Sequence, residues 1–215
     1  MARDVVFQGV KFAEAVAFLR RRQLLTDTEW LRLLQDVTGE VEVIVADQRG
    51  QMQRDLIQAV IDAMDGGQSF ADFRSSYDEI IKRYGWTAPG DPGWHSQLIF
   101  RVNTSNAQNA GRWEQSQRLK RSRPYLRYVT VGDHRVRPHH REWHGVLLLA
   151  DDPWWKTHYT PNGFLCRCHV QSVSERDIER YGWQITDPAD PRLAIPPDDG
   201  WEGNVGMAGM AIGAP

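Results

Sequence analysis

The sequence predicts an α+β fold. A helical N-terminal region (residues 1–90) leads into a compact α+β domain (91–183) with a small antiparallel sheet, and an extended C-terminal arm (184–215) follows. Three observations predict this order. Apolar residues recur every three or four positions as far as about Leu119, the period of amphipathic helices. After Pro124 short runs rich in Val, Leu and Tyr replace that period, which reads as strands. Beyond Gly182 the stretch "TDPADPRLAIPPDDGWEGNVGMAGMAIGAP" is dense in Pro and Gly, a composition that suits an extended arm.

The first helix is expected in "VKFAEAVAFLRR", where Phe12, Val16 and Leu19 form one apolar stripe beside Arg20, Arg21 and Arg22. That stripe is a candidate docking face for a larger partner; a plain helical core is the alternative. Thr26 or Thr28 can cap a second helix bearing Trp30, Leu33, Leu34 and Val37. Met52, Leu56, Ala59, Val60 and Ala63 mark a third, stopped by Gly66-Gly67. Ser69 and Asp72 read as a capping box for a fourth, with Phe73, Tyr77, Ile80, Ile81 and Tyr84 on its buried face.

"WTAPGDPGWH" is a Pro/Gly loop and the first plausible seam. A long helix is expected from about Ser96 to Leu119. Its face at Asn103, Ala107, Ala110 and Gly111 is small enough for another backbone to approach. Strands are expected in "YLRYVTV", "GVLLLA" and "FLCRCHVQSV", with a short helix from Pro138 to His144 between the first two. Ser174 and Asp177 box a last helix that stops at Gly182.

With 215 residues, 41% of them apolar and 25% charged, the chain reads as an ordinary soluble protein with ample surface for a core. A net charge of −2 argues against a globally basic nucleic-acid binder but leaves room for local patches. No apolar run is long enough to span a bilayer, and the N-terminus lacks the apolar segment of a signal peptide, so no membrane partner is expected. Two cysteines spaced Cys-x-Cys are no disulfide framework, which points to a reducing compartment.

Cys166 and Cys168 are the only cysteines, and three histidines crowd "RVRPHHREWHG" upstream. On a strand, Cys166, Cys168 and Val170 would line one side and Arg167, His169 and Gln171 the other. Together with His140 and one more histidine, the thiols could furnish the four ligands of a tetrahedral zinc. Buried cysteine acting as a small hydrophobe is the competing reading.

The run Arg112, Arg118, Lys120, Arg121, Arg123 and Arg127 is a candidate DNA- or partner-binding patch, opposed only by Glu114. The alternative is a solvated helix end whose cations favour the C-terminal dipole. His139, His140, His144, Asp133, Asp151 and Asp152 could supply a metal-dependent nuclease, yet their spacing is not diagnostic and no catalytic residue is assigned. "DDPWW" reads equally as an Asp turn followed by packing aromatics.

The ordered series from Arg123-Pro124-Tyr125 to Cys168 resembles the signature of the Mu F-like minor head proteins of tailed bacteriophages. The matching positions are Asp133 and Arg135, His140 with Gly145, Asp151-Asp152-Pro153 with Trp155, Pro161-Asn162-Gly163, and Cys166-Arg167-Cys168. Upstream, "FAEAVAFLRRRQLLTDTEW", "FADFRSSYDEIIKRYGW" and the helix around Asn103 look familial too, as does "IPPDDGWEGNVG" downstream. The likeness covers nearly the whole chain.

The resemblance implies a structural and interaction protein, not an enzyme. Its place would be the virion head at or near the portal vertex, in head assembly, DNA packaging and ejection. Implied partners are the portal protein, the major capsid or scaffolding protein, and packaged DNA held weakly and without sequence preference. A metal-dependent nuclease and a small zinc-binding module are the rival functions. Related heads carry Cys-x-x-Cys where this chain has Arg137 to His140, and a histidine where Gly163 stands, a pattern that looks like a zinc site. This sequence keeps Cys166 and Cys168, offers His140 for one ligand and lacks the other two. The resemblance therefore implies a structural remnant with no metal or cofactor, its stability resting on Trp143, Trp154 and Trp155. Some relatives carry a toxin domain after the F-like region; with a Gly/Ala tail here, none is expected.

Overall fold

A computed structural model describes residues 12–23, 50–87 and 91–211. The helix expected around Trp30 to Val37 lies outside the described residues. Four helices form the first half of the described chain: α1 (Ala13–Gln23), α2 (Gly50–Gly66), α3 (Phe70–Arg83) and α4 (Pro92–Leu119).

Local chemistry sets their ends. At the start of α3 the Ser69 hydroxyl accepts the Asp72 N–H at 3.3 Å, while the Asp72 carboxylate accepts the Ser69 N–H at 2.8 Å. Asp91 caps α4 by accepting the Trp94 N–H at 2.7 Å, with Pro92 in the first turn. This helix therefore begins four residues ahead of the expected Ser96, because Pro92 starts a helix as readily as it would interrupt one. At 28 residues α4 is about 42 Å long and forms the axis of the molecule.

Around it the first core gathers Val16, Phe18 and Leu19 of α1, Leu56, Val60 and Ile61 of α2, and Phe73, Tyr77 and Ile80 of α3. Tyr84, expected on this buried face, is exposed, and its hydroxyl donates to Asp55 at 2.9 Å. The small face of α4 works as anticipated. A Cβ on Gly111 would sit 2.9 Å from the backbone nitrogen of Ala15, so only glycine lets α1 approach this closely. The stripe expected to dock a partner is thereby used inside the protein: Val16 and Leu19 are buried and Phe12 packs beside them.

The second half holds a three-stranded antiparallel sheet of order β2-β1-β3, with β1 (Tyr125–Val129) between β2 (Leu147–Leu149) and β3 (His169–Val173). Its register pairs Leu126 with Leu148 and Tyr128 with Val170. These four share the inner face, where they meet Trp113 of α4 and the rings of Trp143, Trp154, Trp155 and Tyr159. Of two short helices, α5 (Pro138–Glu142) adjoins Trp143, and α6 (Trp155–His158) carries Trp155 and adjoins Trp154 and Tyr159. Helix α7 (Glu175–Tyr181) opens on the Ser174/Asp177 capping box and ends at Gly182, whose φ of 64° is left-handed.

Strand β3 begins later than expected. Leu165 has a φ of 56°, and the Cys166 N–H turns back to the Gly163 carbonyl at 3.1 Å, so residues 161–168 run as a loop beneath α5. The alternation nevertheless survives off the strand: Cys166, Cys168 and Val170 are buried, while Arg167 and Gln171 are exposed.

From Trp183 the arm wraps back over this domain. It passes through a 3-10 turn (Pro191–Ala194) and closes in α8 (Val205–Ala211), a helix not anticipated from the sequence. Here Asn204 caps the helix, accepting from the Gly206 and Met207 N–H groups at 2.9 and 3.1 Å. Gly206 lies so close to Trp113 that an added Cβ would fall 2.2 Å from the Trp113 Cβ. Among the described residues, no helix is long and apolar enough to cross a membrane.

Candidate functional site

The residues singled out in the sequence converge on the space between α5, the loop 161–168 and the arm. Three indoles frame it. Trp143 lies flat against the His140 ring, at 5.1 Å and 24°, and donates its N–H to the Arg192 carbonyl at 3.2 Å. Trp154 stacks on His158 at 4.3 Å and donates to the Leu193 carbonyl at 3.1 Å. Trp155 donates to the Leu149 carbonyl at 3.0 Å. Buried rings with satisfied polar tips are what nine tryptophans can contribute to a core, and two of these three tie the arm down.

His158 completes that attachment. Its Nε2–H donates to the Ile195 carbonyl at 2.8 Å, while Nδ1 lies 2.7 Å from the Thr157 hydroxyl, and burial holds its pKa below the ordinary histidine value. Below it, the Asn162 side chain accepts from the Tyr128 hydroxyl at 3.0 Å. The preceding Thr160–Pro161 bond is cis. Asp152 forms the anticipated Asx turn, accepting the Trp154 N–H at 2.9 Å, with Pro153 exposed beside it. Gly145 supplies a positive φ of 85° that lets its N–H reach the Tyr128 carbonyl at 2.9 Å. Asn103 turns its amide back to the Ile99 carbonyl within α4.

At the rim, Asp133 and Arg167 form a two-pronged ion pair at 2.6 and 2.7 Å, and Asp133 also accepts the Arg135 N–H at 3.0 Å. The hydrogen bonds from Arg167, opposed by slight burial and aided by the Arg135 N–H, hold the Asp133 carboxyl down to about 2. On the other side Asp198 of the arm takes Arg137 at 2.9 Å and His139 at 2.7 Å. A Cβ on Gly163 would fall 2.1 Å from the Asp198 carboxylate, so glycine here makes room for that arm residue.

The fit to a metal can be tested on these side chains. Cys166, Cys168 and His140 are all buried, and their donor atoms lie within 4.8 Å of one another. His140 Nδ1 is 3.6 Å from Cys166 Sγ and 3.9 Å from Cys168 Sγ. The hydrogen bond from Cys168, against burial and with help from His140, draws the Cys166 pKa down to about 4. Cys168 is pushed up correspondingly, first by its bond to Cys166 and then by burial. Three donors suited to a soft divalent ion thus meet, where the sequence-level expectation was a remnant.

The nuclease constellation does not assemble. His144 accepts from the Thr130 backbone N–H at 3.2 Å, Asp151 pairs with Lys120 at 2.6 Å, and His140 faces the thiols. Among the described residues, the groups of potential ligands are His140–Cys166–Cys168 and His139–His140–Asp198.

The basic run divides. Arg118 pairs with Glu14 and Glu114, Lys120 with Asp151, and Arg123 with Asp177 at 2.6 Å and the Ser172 carbonyl at 2.8 Å. Arg112, Arg121 and Arg127 have no carboxylate partner among the described residues. Arg127 instead lies 4.4 Å over the Trp183 ring. Sequence reasoning missed Asp198, Asn204 and His158 as organising residues. Asp198 and Asn204 stood only within the familial stretch "IPPDDGWEGNVG", and no spacing linked Asp198 to Arg137.

Comparison with known proteins bears on this arrangement. Residues 54–171 match the profile of the family described as "Phage Mu protein F like protein". The chain is 27% identical over 194 residues to the "Putative capsid assembly protein F" of Escherichia phage Mu, covering 80% of this chain and 43% of that one. It is 29% identical over 167 residues to the "Mu-like prophage FluMu F protein" of Haemophilus influenzae, covering 73% of this chain and 40% of that one. The chain thus spans less than half the length of these curated relatives. No solved structure matches it.

Proposed function

The chain belongs to the Phage Mu protein F like family, and from that membership we propose that it is a structural protein of phage capsid assembly. A capsid assembly role is what the name of the Mu relative states, and that relative aligns with four-fifths of this chain. One observation carries the reading on the structural side. The motif residues bind one another: Asp133 holds Arg167, Asn162 holds Tyr128, and the indoles hold the arm, which is the organisation of a rigid scaffold. In this reading the protein is no enzyme.

The finer proposal sites it in the virion head at or near the portal vertex, acting in assembly, packaging and ejection. The portal protein would be its first partner, the major capsid or scaffolding protein a further one, and packaged DNA a weak, non-specific one. Since the α1 stripe is internal, the docking surface lies elsewhere. The test is co-expression with the portal and major capsid proteins of the same phage, followed by affinity capture of the full chain. Retention of portal after a high-salt wash supports the vertex assignment. Capture of capsid protein alone overturns that assignment but leaves the head role standing, and capture of neither overturns both.

A further inference from the structure

We propose that His140, Cys166 and Cys168 form a zinc site with three protein ligands, its fourth position open toward a small adjoining cavity. The proposal rests on this donor geometry and is independent of the capsid reading.

The first argument is distance. Zinc bonds of about 2.3 Å to sulfur and 2.0–2.1 Å to nitrogen in a tetrahedron put ligand atoms roughly 3.5–3.8 Å apart. His140 Nδ1 stands 3.6 Å from one sulfur and 3.9 Å from the other. These separations, within reach of a weak sulfur hydrogen bond, also fit the edges of such a tetrahedron. All three donor atoms lie within 4.8 Å of one another.

The second argument is the far side of the imidazole. His140 is buried, and its Nε2 has no hydrogen-bond partner among the described residues. The nearest carboxylate oxygen, Asp198 Oδ1, is 3.6 Å away. A metal on Nδ1 forces the proton onto Nε2 and aims it at Asp198, the carboxylate–histidine–metal arrangement that orients ligating histidines. Nε2 is thus the buried ring atom without a hydrogen-bond partner among the described residues, while Nδ1 faces both sulfurs. Asp198 is itself fixed by Arg137 and His139, so its position is set before any ion arrives.

The third argument is space. Beside the donors lies a cavity of about 20 Å³, lined by the three ligands together with Arg135, Arg137 and Arg167 among others. That is room for about one water-sized ligand, the size of the missing fourth donor. The charge also suits: two thiolates neutralise a divalent ion, and Asp133 and Asp198 engage Arg167 and Arg137.

The test uses the full chain, purified without chelator. After dialysis against zinc it should retain one equivalent, and replacement by cobalt should give tetrahedral visible bands with a near-ultraviolet thiolate-to-cobalt band. Cys166→Ser, Cys168→Ser and His140→Ala should each lose the thiolate–cobalt spectrum or the equivalent of zinc. Asp198→Asn should keep the tetrahedral spectrum and weaken zinc affinity 10–100-fold. Should the ligand variants fail to fold, the wild-type chain still decides. Bound zinc should slow alkylation of both thiols, and chelation should lower the melting temperature. Failure to retain zinc, with alkylation and melting identical with and without the ion, overturns the proposal. Zinc retained undiminished by Cys166→Ser also overturns it, because the ion is then elsewhere.

Discussion

The Asp133 carboxylate and the Arg167 guanidinium face each other through two hydrogen bonds of 2.6 and 2.7 Å, joining the turn after β1 to the residue between the two cysteines. Arg167 thereby points outward and leaves Cys166 and Cys168 facing inward, toward His140. The pair has a pH signature. Asp133 is held down to about 2 in the folded chain, below the ordinary aspartate value near 3.9. A depressed carboxylate contributes stability that is complete above the unfolded value and is lost as pH falls through the folded one. Asp133→Asn should therefore lower the melting temperature at neutral pH. The difference from wild type should shrink between about pH 4 and pH 2. A constant difference across that range would rule out the ion pair as its source.

Tyr128→Phe removes the hydroxyl that donates to Asn162 at 3.0 Å, in a place where both residues are buried. The amide oxygen is then left without that donor, and the expected loss is about 1–3 kcal/mol in urea unfolding. A loss below about 0.5 kcal/mol, less than a typical net hydrogen bond, would mean the amide oxygen is not left unsatisfied.

Gly206→Ala places a methyl 2.2 Å from the Trp113 Cβ, an atom fixed by the α4 backbone. Alanine favours a helix by about 1 kcal/mol over glycine, yet overpacking costs about 1–3 kcal/mol, so destabilisation should win. Helix α8 should separate first, seen as faster amide exchange at Ala208 than at Val170.

Non-specific DNA binding, where tested, should depend on the unpaired arginines. Arg112→Gln with Arg121→Gln should reduce the log–log salt slope by about 2, since each phosphate contact contributes about 0.9. Arg118→Gln with Arg123→Gln should change stability more than slope, because these two side chains already hold carboxylates. Equal slopes for both double variants would refute the division of the run.

The fold was legible wherever a local rule decides. The capping boxes at Ser69/Asp72 and Ser174/Asp177, the stop at Gly182 and the close-packing face at Gly111 each follow from a few neighbouring residues. The start of α4 was a local signal passed over, because Asp91 followed by Pro92 is itself a helix-opening pair. What the sequence could not reveal depends on long-range meetings. Nothing near Asp198 announces Arg137 and His139, some sixty positions away. For the candidate site, three of its ligands were visible as residue types, and only the fold could show that His140 faces both sulfurs. The basic run looked continuous because the carboxylates that neutralise half of it come from α1, the turn after β2 and α7.

The contact between Phe18 and Gly209 has a consequence for synthesis. A Cβ on Gly209 would fall 2.5 Å from the Phe18 ring, so the two residues touch across most of the chain's length. The ribosome makes α1 well before α8, and at roughly 5–20 residues per second the interval is on the order of ten seconds or more. Throughout that interval Phe18 and Trp113 lack their final cover. A chain cut short before Val205 keeps those apolar surfaces open and becomes a target for proteolysis or aggregation. Synthesis through α8 is thus built into the tertiary structure as a condition for covering Phe18 and Trp113.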